Sequence, residues 1–382
     1  MEEIANQNDA RGSLWEIARE FLRLGVVAFG GPPVHFAMME ERFVRQRQWL
    51  NRERFLDLLG AVNLLPGPSS TELTIYLGEV RGGFAGLLLA GLCFILPSAL
   101  MVAAVAWAYQ RFAELPQVEG LLFGIKPVVV ALIVPALWNL GRTAMKNAGL
   151  SMLAIGVAAL AVFGVNVIAL LVSAGIFWLV VQQARSSSNV GDAAGIALFS
   201  SSPFWSPGVS PLLFYFLKIG AVVFGSGYVL LAVLRADLVV RLHWLTDGQL
   251  LDAIAVSQGT PGPFFTVATF IGYLLGGWKG AALATLGMFL PAFLYVAATA
   301  KYLPRLRKSP IAGAFLDGVN AAAVALMATV GWQFARAALV NVPAVVLGLA
   351  SLLLLFRYKV NSAWLVLGGA VAGIALRALG KI

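Results

Sequence analysis

The stretch VNLLPGPSSTELTIYLG, residues 62–78, carries Pro66-Gly67-Pro68 within apolar sequence. A second stretch, VSQGTPGPFFTVATFIG at residues 256–272, carries Pro261-Gly262-Pro263. Proline ends or kinks a helix and pushes the residue before it out of helical geometry, so each copy is predicted to interrupt a helix. At membrane depth, irregular backbone is tolerated only where it is buried in protein or lines a water-filled cavity. Two such breaks in one chain therefore predict a permeation or substrate site.

Composition assigns the chain to a class. It is 60% hydrophobic and 12% charged, with a mean hydropathy of +0.85, and it contains apolar runs long enough to cross a bilayer. These values predict an all-α polytopic membrane protein and exclude a soluble one. Residues 1–13 lack a basic segment followed by a short apolar one, so no cleavable signal peptide is predicted. The net charge of +9 is interpreted as a bias of the loops and not as affinity for nucleic acid.

The sequence repeats itself. FLRLGVVAFG at residues 21–30 matches FLKIGAVVFG at residues 216–225, and the two Pro-Gly-Pro units keep the same offset of 195 residues. After a one-residue deletion the offset becomes 194, which pairs Pro97 with Pro291 and Trp138 with Trp332. The repeat predicts two homologous halves, residues 1–184 and 211–382, joined by a linker at 185–210 that is rich in Ser, Gly and Pro.

The distribution of basic residues between the two sides of the membrane predicts how the halves are oriented. If each broken segment returns to its own side, each half has about five crossings, beginning with a helix at 13–33, and the second half is inverted. One side then receives the arginine-rich loop 34–54 and the opposite side receives Arg11. By the positive-inside rule the first side is cytoplasmic and both termini lie outside. The sequence leaves open whether the Pro-Gly-Pro segments re-enter or span.

The residues after the first break predict an anion site. Ser69, Ser70 and Thr71 begin a new half-helix, whose unpaired N–H groups and hydroxyls face the gap. A helix N-terminus carries about half a positive charge, so a small oxyanion can bind there without a metal or a cofactor. The second break replaces the serines with Phe264-Phe265, and the two halves are predicted to contribute unequally. Its polar candidates are Gln258, Thr260 and Thr266.

Charged residues within the apolar spans are further candidates. Arg23 and Lys218 occupy equivalent positions, and a basic residue at membrane depth usually faces a cavity, where it supplies positive potential. The alternatives are snorkelling to an interface and pairing with a carboxylate such as Glu20. Glu72, one turn into the half-helix, and Glu79 are candidates for carrying a coupling proton, with a solvated interfacial carboxylate as the alternative for each.

Three other charged residues have weaker interpretations. Lys126 is a weaker ligand candidate because its counterpart in the second half is Asn320. Asp57 and Asp252, one turn into the segments leading to the breaks, are expected to cap those helices.

Glycines and prolines are assigned to structural breaks. Gly30-Gly31, followed by two prolines, is predicted to bend the first helix sharply, and Gly225 lies at the equivalent place in the second half. His35 and His243 lie in or near predicted loops and fit no metal-ligand spacing. Because no metal cluster, phosphate loop or nucleophile motif is found, the sequence predicts no metal, no cofactor and no enzymatic activity.

These motifs resemble a known family. FxxxGxxxFGGP in Phe21–Pro32, the Pro-Gly-Pro segment in each half, R-x-x-F-L-D in Arg52–Asp57 and TPGPFFTVATFIGY in Thr260–Tyr273 together resemble the chromate ion transporter family, in its long two-domain form. The resemblance covers essentially the whole chain. It implies a bacterial inner-membrane secondary transporter that exports chromate, with sulfate as the similar oxyanion. FGSG at 224–227 departs from the first-half FGGP, and this leaves open how the halves share the substrate.

The resulting hypothesis is alternating access around a midplane oxyanion site formed by the two breaks. The expected partners are chromate or sulfate and the lipid bilayer, without nucleic acid, and the choice between a monomer and a homodimer stays open. An anion channel and an exchanger for another small oxyanion are the alternatives. An enzyme acting on lipid phosphates is the weakest of them, because the acid, base or metal groups that it needs are missing.

Overall fold

A computed structural model describes residues 12–112, 115–186, 209–223, 227–300, 310–358 and 360–380. Within these ranges the regular secondary structure is entirely helical, as predicted. The helices of the first half are α1 Leu14–Val27, α2 Pro32–Met39, α3 Arg52–Val62, α4 Ser69–Phe112, α5 Pro116–Ala144, α6 Ala148–Val162 and α7 Val167–Ser186. Those of the second half are α8 Val209–Val222, α9 Tyr228–Leu234, α10 Asp247–Gly259, α11 Val267–Thr299, α12 Pro310–Ala338, α13 Val342–Tyr358 and α14 Ser362–Ala378.

Helices α2 and α9 each continue as a π-helix, over Glu40–Gln46 and Arg235–Arg241. Five helical segments among the described residues are long and apolar enough to cross a membrane, which agrees with a polytopic membrane protein. They are Ser69–Phe112, Val118–Ala144, Val167–Ala184, Phe264–Thr299 and Ile311–Ala338.

The first apolar segment is a hairpin of two short helices. After α1 the chain reverses at Gly30 and Gly31, which have φ of +105° and +78°. Helix α2 and its π-helical extension then run back along α1, so that the ring of Phe43 lies 4.9 Å from that of Phe21. The prediction of one helix over 13–33 is therefore wrong, because α1 ends at Val27 and a second helix begins at Pro32. The physical reason lies in the two prolines. They were expected to end a helix, but they occupy the first positions of α2, where no backbone N–H is needed.

Contacts of the hairpin fix the position at which α1 starts. The N–H of Gly12 donates to the carbonyl of Arg81, and Glu16 pairs with both Arg81 and Arg47. The start of α1 therefore lies at the same end of the molecule as the arginine-rich loop, which we call the arginine-rich end. The sequence predicted that Arg11 lies on the side of the membrane opposite this loop. Its neighbour Gly12 lies at the arginine-rich end, which does not support that prediction. Arg11 itself lies outside the described residues.

Each broken segment returns to the end from which it entered. Helix α3 leads from the arginine-rich end to the first Pro-Gly-Pro, and α4 then begins as a short arm, 69–82, that leads back to Arg81. At Gly83 (φ +61°) the chain reverses into the long arm 84–112. The two arms pack so closely that a side chain on Gly78 would overlap Gly86. In the second half Gly277 (φ +58°) reverses α11 in the same way, between arms 267–275 and 278–299.

The two long arms run in antiparallel directions. Early in the first arm, Gly91 lies against the ring of Phe293, late in the second arm. Near the end of the first arm, the ring of Tyr109 lies 5.3 Å from that of Phe270, which precedes the second arm. The second half is therefore inverted, and its broken segment enters from the end of the molecule opposite the arginine-rich end, which we call the opposite end.

Helices of one half pack along those of the other through glycines. Gly120 and Gly124 of α5 contact Gly369 and Gly373 of α14, and Gly318 of α12 contacts α7 in the same manner. Close approach through small residues is how membrane helices associate without a hydrophobic driving force. These contacts join the two halves at two separate places.

We expect Gly124→Ala to destabilise the protein, because a Cβ at this position would overlap the carbonyl oxygen of Gly369 and lie 2.8 Å from the Cα of Gly373. Overpacking of this kind typically costs about 1–3 kcal/mol. Gly368→Ala is the matched control, since nothing lies within 4 Å of a Cβ at that position. Thermal unfolding in detergent should show a lower midpoint for the first variant and no loss for the second. Equal midpoints would contradict the close packing of α5 on α14.

Candidate functional site

The two breaks are held by a pair of equivalent hydrogen bonds between the halves. The N–H of Gly67 donates to the carbonyl of Val223 at 2.8 Å, and the N–H of Gly262 donates to the carbonyl of Ala28 at 2.8 Å. The four residues obey the offset of 195 that relates the repeats. Each break is therefore fastened to the end of the first helix of the other half.

Only glycine fits at the centre of each break. Gly67 and Gly262 have φ of +129° and +98°, a region that other residues rarely adopt. A Cβ on Gly67 would lie 2.7 Å from a carboxyl oxygen of Glu72, and one on Gly262 would lie 2.6 Å from the Cβ of Ser98. The flanking prolines supply no N–H groups, so the glycine N–H is the single donor of each Pro-Gly-Pro unit.

The predicted anion-binding residues of the first break lie in the first turn of the short arm 69–82. Ser70 and Thr71 are buried and Ser69 is half-buried. The N–H groups of Thr71 and Glu72 donate to the carbonyl of Pro68, at 2.8 and 3.0 Å. The hydroxyl of Thr71 has no hydrogen-bond partner among the described residues. This turn thus contains a buried hydroxyl available to a ligand.

The predicted residues of the second break are engaged by the protein. Thr260 donates to the carbonyl of Val256 at 2.7 Å, and Thr266 donates to the carbonyl of Pro263 at 2.9 Å. The hydroxyl of Thr266 also lies 3.1 Å from that of Ser98, on the long arm of the first half. Gln258 is half-buried next to this break. The two breaks are therefore alike in backbone and different in available donors.

Glu72 is completely buried beside the first break. In the part of the chain that the structure describes, neither of its carboxyl oxygens has a hydrogen-bond partner. Its neighbour Tyr295, close enough to interact with it electrostatically, donates to the carbonyl of Ala221 at 2.9 Å. The equivalent position in the second half is Val267, so the buried carboxyl belongs to the first break alone.

Arg23 and Lys218 lie on the two helices to whose ends the breaks are fastened. Both side chains lie on exposed faces of α1 and α8, two residues before Gly25 and Gly220. Gly25 and Gly220 are the residues against which the breaks pack, since their carbonyl oxygens lie 3.3 and 3.5 Å from a Cβ built on Gly262 and Gly67. Gly225, the remaining predicted break residue, lies outside the described residues.

Glu20, the buried carboxylate of α1, pairs with arginines from the segment that follows α2. Glu20, whose side chain is 3% exposed, accepts hydrogen bonds from Arg42 at 2.7 and 2.8 Å and from Arg47. The hydrogen bond to Glu20 raises the pKa of the Arg42 guanidinium, so this pair stays ionised. The pairing holds α1 to the extension of α2, which supports the hairpin and not the breaks.

Two predictions about polar residues are wrong. His35 lies in α2 and not in a loop, and it is fully buried with Nε2 3.2 Å from the carbonyl of Ala28, which also accepts from Gly262. Asp252 does not cap α10, because Thr246 caps it through the N–H of Gln249. The cap of α3 is likewise Asn51 instead of Asp57. Ser98 and His35, both beside the second break, are residues that the sequence patterns did not indicate.

No group of three or more His, Cys, Asp or Glu side chains suited to a metal ion is found among the described residues. The chemistry available at the breaks is that of helix N-termini, hydroxyls, the Gln258 amide, the His35 imidazole and one buried carboxyl. Such an arrangement can bind a small oxyanion through N–H and O–H donors, and it can take up a proton at Glu72.

Comparison with known proteins gives consistent results. A family model described as chromate transporter matches residues 15–179 and 210–374. The chain is 33% identical over 372 residues to the chromate transport protein of Cupriavidus metallidurans, covering 95% of this chain and 93% of that protein. It is 32% identical over 380 residues to the chromate transport protein of Pseudomonas aeruginosa, covering 94% and 91%. The probable chromate transport protein of Synechococcus elongatus is 31% identical over 375 residues, with 95% of each chain covered. No solved structure matches.

The family model matches each half of the chain once, and the curated relatives align over nearly the full length of both proteins. The resemblance drawn from the Pro-Gly-Pro segments is thus confirmed. The protein is a multi-pass helical membrane protein, and it belongs to the chromate transporter family.

Proposed function

We propose that this protein is a secondary transporter that exports chromate across the bacterial inner membrane. The observation that carries the proposal is the equivalent pair of hydrogen bonds by which each Pro-Gly-Pro break is fastened to the other half. Paired broken helices at the interface of inverted repeats are the arrangement in which secondary transporters bind their substrates. The names of the full-length relatives support chromate as the cargo.

The first break supplies the groups that an oxyanion needs. The N-terminus of the short arm 69–82 carries partial positive charge, and Ser69, Ser70 and Thr71 add hydroxyl donors. At the second break Gln258 is the remaining candidate donor, because the hydroxyls of Thr260 and Thr266 donate to backbone carbonyls. Arg23 and Lys218 contribute positive potential from the exposed faces of α1 and α8, where they act at a distance and not as ligands. Chromate and sulfate, both tetrahedral dianions, are expected to compete for this site.

Glu72 makes the site depend on a proton. Two like charges 4 Å apart repel by about 4 kcal/mol at an effective dielectric constant of 20, so an ionised Glu72 would oppose binding of a dianion. A buried carboxyl without a partner is stable only when neutral. We therefore propose that the oxyanion binds while Glu72 carries a proton, and that the proton is exchanged when the site opens.

Alternating access would proceed by rocking of one half against the other. The bonds from Gly67 and Gly262 lie at the joint between the halves, so a change of orientation alters both together. Export of a dianion is favoured by an inside-negative potential, by about 2.3 kcal/mol per charge per 100 mV. No nucleotide hydrolysis is needed for this step.

The test is chromate flux in proteoliposomes, with sulfate as competitor and with imposed potentials and pH gradients. The proposal predicts saturable chromate movement that sulfate inhibits and that an inside-negative potential drives outward. Absence of movement of either anion under every gradient would refute it. Movement that does not saturate, accompanied by continuous anion current, would identify an anion channel instead.

A further inference from the structure

A cavity with polar side chains in its lining lies away from the breaks, at the opposite end of the molecule. Its volume is about 470 Å³, and its lining includes Tyr109, Lys126, Asp252, Asn341 and Arg377. It lies between α5, α10 and α14 and the junction of α12 with α13. We infer that this cavity is a second, weaker subsite for the transported oxyanion, with Lys126 as its ligand. The inference rests on the proposed function.

The core of the cavity is an ion pair between a half-buried lysine and a buried aspartate. The ammonium of Lys126 lies 3.4 Å from Oδ1 of Asp252, and the two side chains are 26% and 4% exposed. Oδ2 of Asp252 accepts a hydrogen bond from the hydroxyl of Tyr109 at 3.0 Å. Oδ1 has no hydrogen-bond partner among the described residues, which leaves the ion pair as its stabilising contact.

The cavity lies along the helix that leads to the second break. Asp252 precedes Thr260 by eight residues on α10, which corresponds to about 12 Å along a helix. Tyr109 contacts both this carboxylate and the ring of Phe270, on the short arm that follows the break. An anion moving between the second break and the opposite end would therefore pass Lys126.

The charges of the cavity suit transient binding. Lys126 faces Asp252, and Arg377 pairs with Glu119 at 2.6 Å, so each cation already has a carboxylate partner. Asn341 accepts from the N–H of Ala344 through its side-chain oxygen, and it is one of the residues that line the cavity. An anion must compete with Asp252 for Lys126, and Asp252 keeps Tyr109 when Lys126 turns away. A transport pathway needs sites that attract the ion and still release it.

Among the described residues the repeat forms this ion pair once, between Lys126 of the first half and Asp252 of the second. The position equivalent to Lys126 is Asn320, and Asp57, equivalent to Asp252, lies on an exposed face. A merely structural role, in which the ion pair joins α5 to α10, makes a different prediction. It requires that loss of either partner weakens folding and that neither loss strengthens anion binding.

Chromate binding to the purified protein, measured by titration calorimetry, separates these alternatives. Asp252→Asn frees Lys126 while keeping the size of the side chain and its contact with Tyr109. We expect a second equivalent of chromate to bind at concentrations at least fivefold lower than in the wild type. The double variant Asp252→Asn/Lys126→Gln should lose this second step. Asp57→Asn is the matched control and should behave like the wild type.

A second pair of variants tests the subsite even if the Asp252→Asn variant does not fold. Lys126→Arg retains the charge and should keep the KM for chromate flux within threefold, whereas Lys126→Gln should raise it at least fivefold. Unchanged chromate binding in Asp252→Asn would overturn the subsite, and so would equal KM values in Lys126→Arg and Lys126→Gln. In either case, chromate flux in the wild type would still support the transport function. Absence of both flux and binding in the wild type would overturn the transport function and the subsite together.

Discussion

Gly262→Ala is expected to reduce chromate flux at least tenfold. At φ of +98° an alanine is strained by about 1–2 kcal/mol, and its Cβ would lie 2.6 Å from the Cβ of Ser98. The break must then move away from the long arm 84–112, which lengthens the hydrogen bond from the N–H at position 262 to the carbonyl of Ala28. Flux in proteoliposomes, together with the thermal unfolding midpoint of each variant, measures the effect.

Two further variants show whether the close contact is the cause. Gly156→Ala, on α6, is the control, because nothing lies within 4 Å of a Cβ at that position. Ser98→Gly removes the atom with which the methyl group introduced at position 262 would collide, so Gly262→Ala/Ser98→Gly should recover part of the flux. The backbone strain remains, and recovery should be incomplete. Flux within twofold of the wild type for Gly262→Ala alone would contradict the role given to this break.

Glu72→Gln should abolish the response of chromate flux to an imposed pH gradient. If the oxyanion binds only while Glu72 is protonated, chromate affinity in the wild type falls as the pH rises through the titration of this group. Glutamine has the size of the neutral acid and cannot ionise, so the variant should bind chromate with the same affinity throughout the alkaline range of pH in which chromate is a dianion. Potential-driven flux should continue in the variant.

The matched control is Glu79→Gln, on the same short arm two turns further along and only half-buried. It should keep the pH response of the wild type. A pH response that survives in Glu72→Gln would show that the coupling proton is carried elsewhere or that flux is not coupled to protons. Flux and affinity are measured at several values of pH with the membrane potential clamped.

The broad architecture could be predicted because it is recorded in local patterns and in the repeat. Helical spans follow from apolar runs, the breaks follow from the chemistry of proline, and the offset of 195 residues pairs Gly67 with Gly262 and Ala28 with Val223. Inversion was inferred from the distribution of basic residues. These features depend on composition and spacing, which a single sequence contains.

The first hairpin was missed because its signal is ambiguous. Gly30-Gly31-Pro32-Pro33 predicts an end or a bend, and the same residues also fit a sharp reversal followed by a helix that begins with proline. What decides between them is the pairing of Glu20 with Arg42, 22 residues away, and the packing of Phe21 on Phe43. Contacts of this kind do not follow from periodicity.

The polar contacts of the site were missed for the same reason. The bond between Tyr109 and Asp252 joins residues 143 positions apart, and the contact between Ser98 and Thr266 joins residues 168 apart. Both contacts join residues of different halves. The alignment of the repeat shows which residues are equivalent, but it does not show which residues lie close together. Arg23 was a candidate because it is charged within an apolar span, whereas the direction of its side chain depends on how α1 packs.

The most direct test of the oxyanion site is equilibrium binding of chromate to the purified protein in which Ser69→Ala, Ser70→Ala and Thr71→Val are combined. Thr143→Val/Ser151→Ala is the control, since both of these residues lie far along the chain and their hydroxyls bond to carbonyls of their own helix or its cap. A net loss of about 1 kcal/mol for each hydrogen bond predicts binding weaker by about a hundredfold, with the control unchanged. Wild-type affinity in the triple variant would contradict an oxyanion site at the first break.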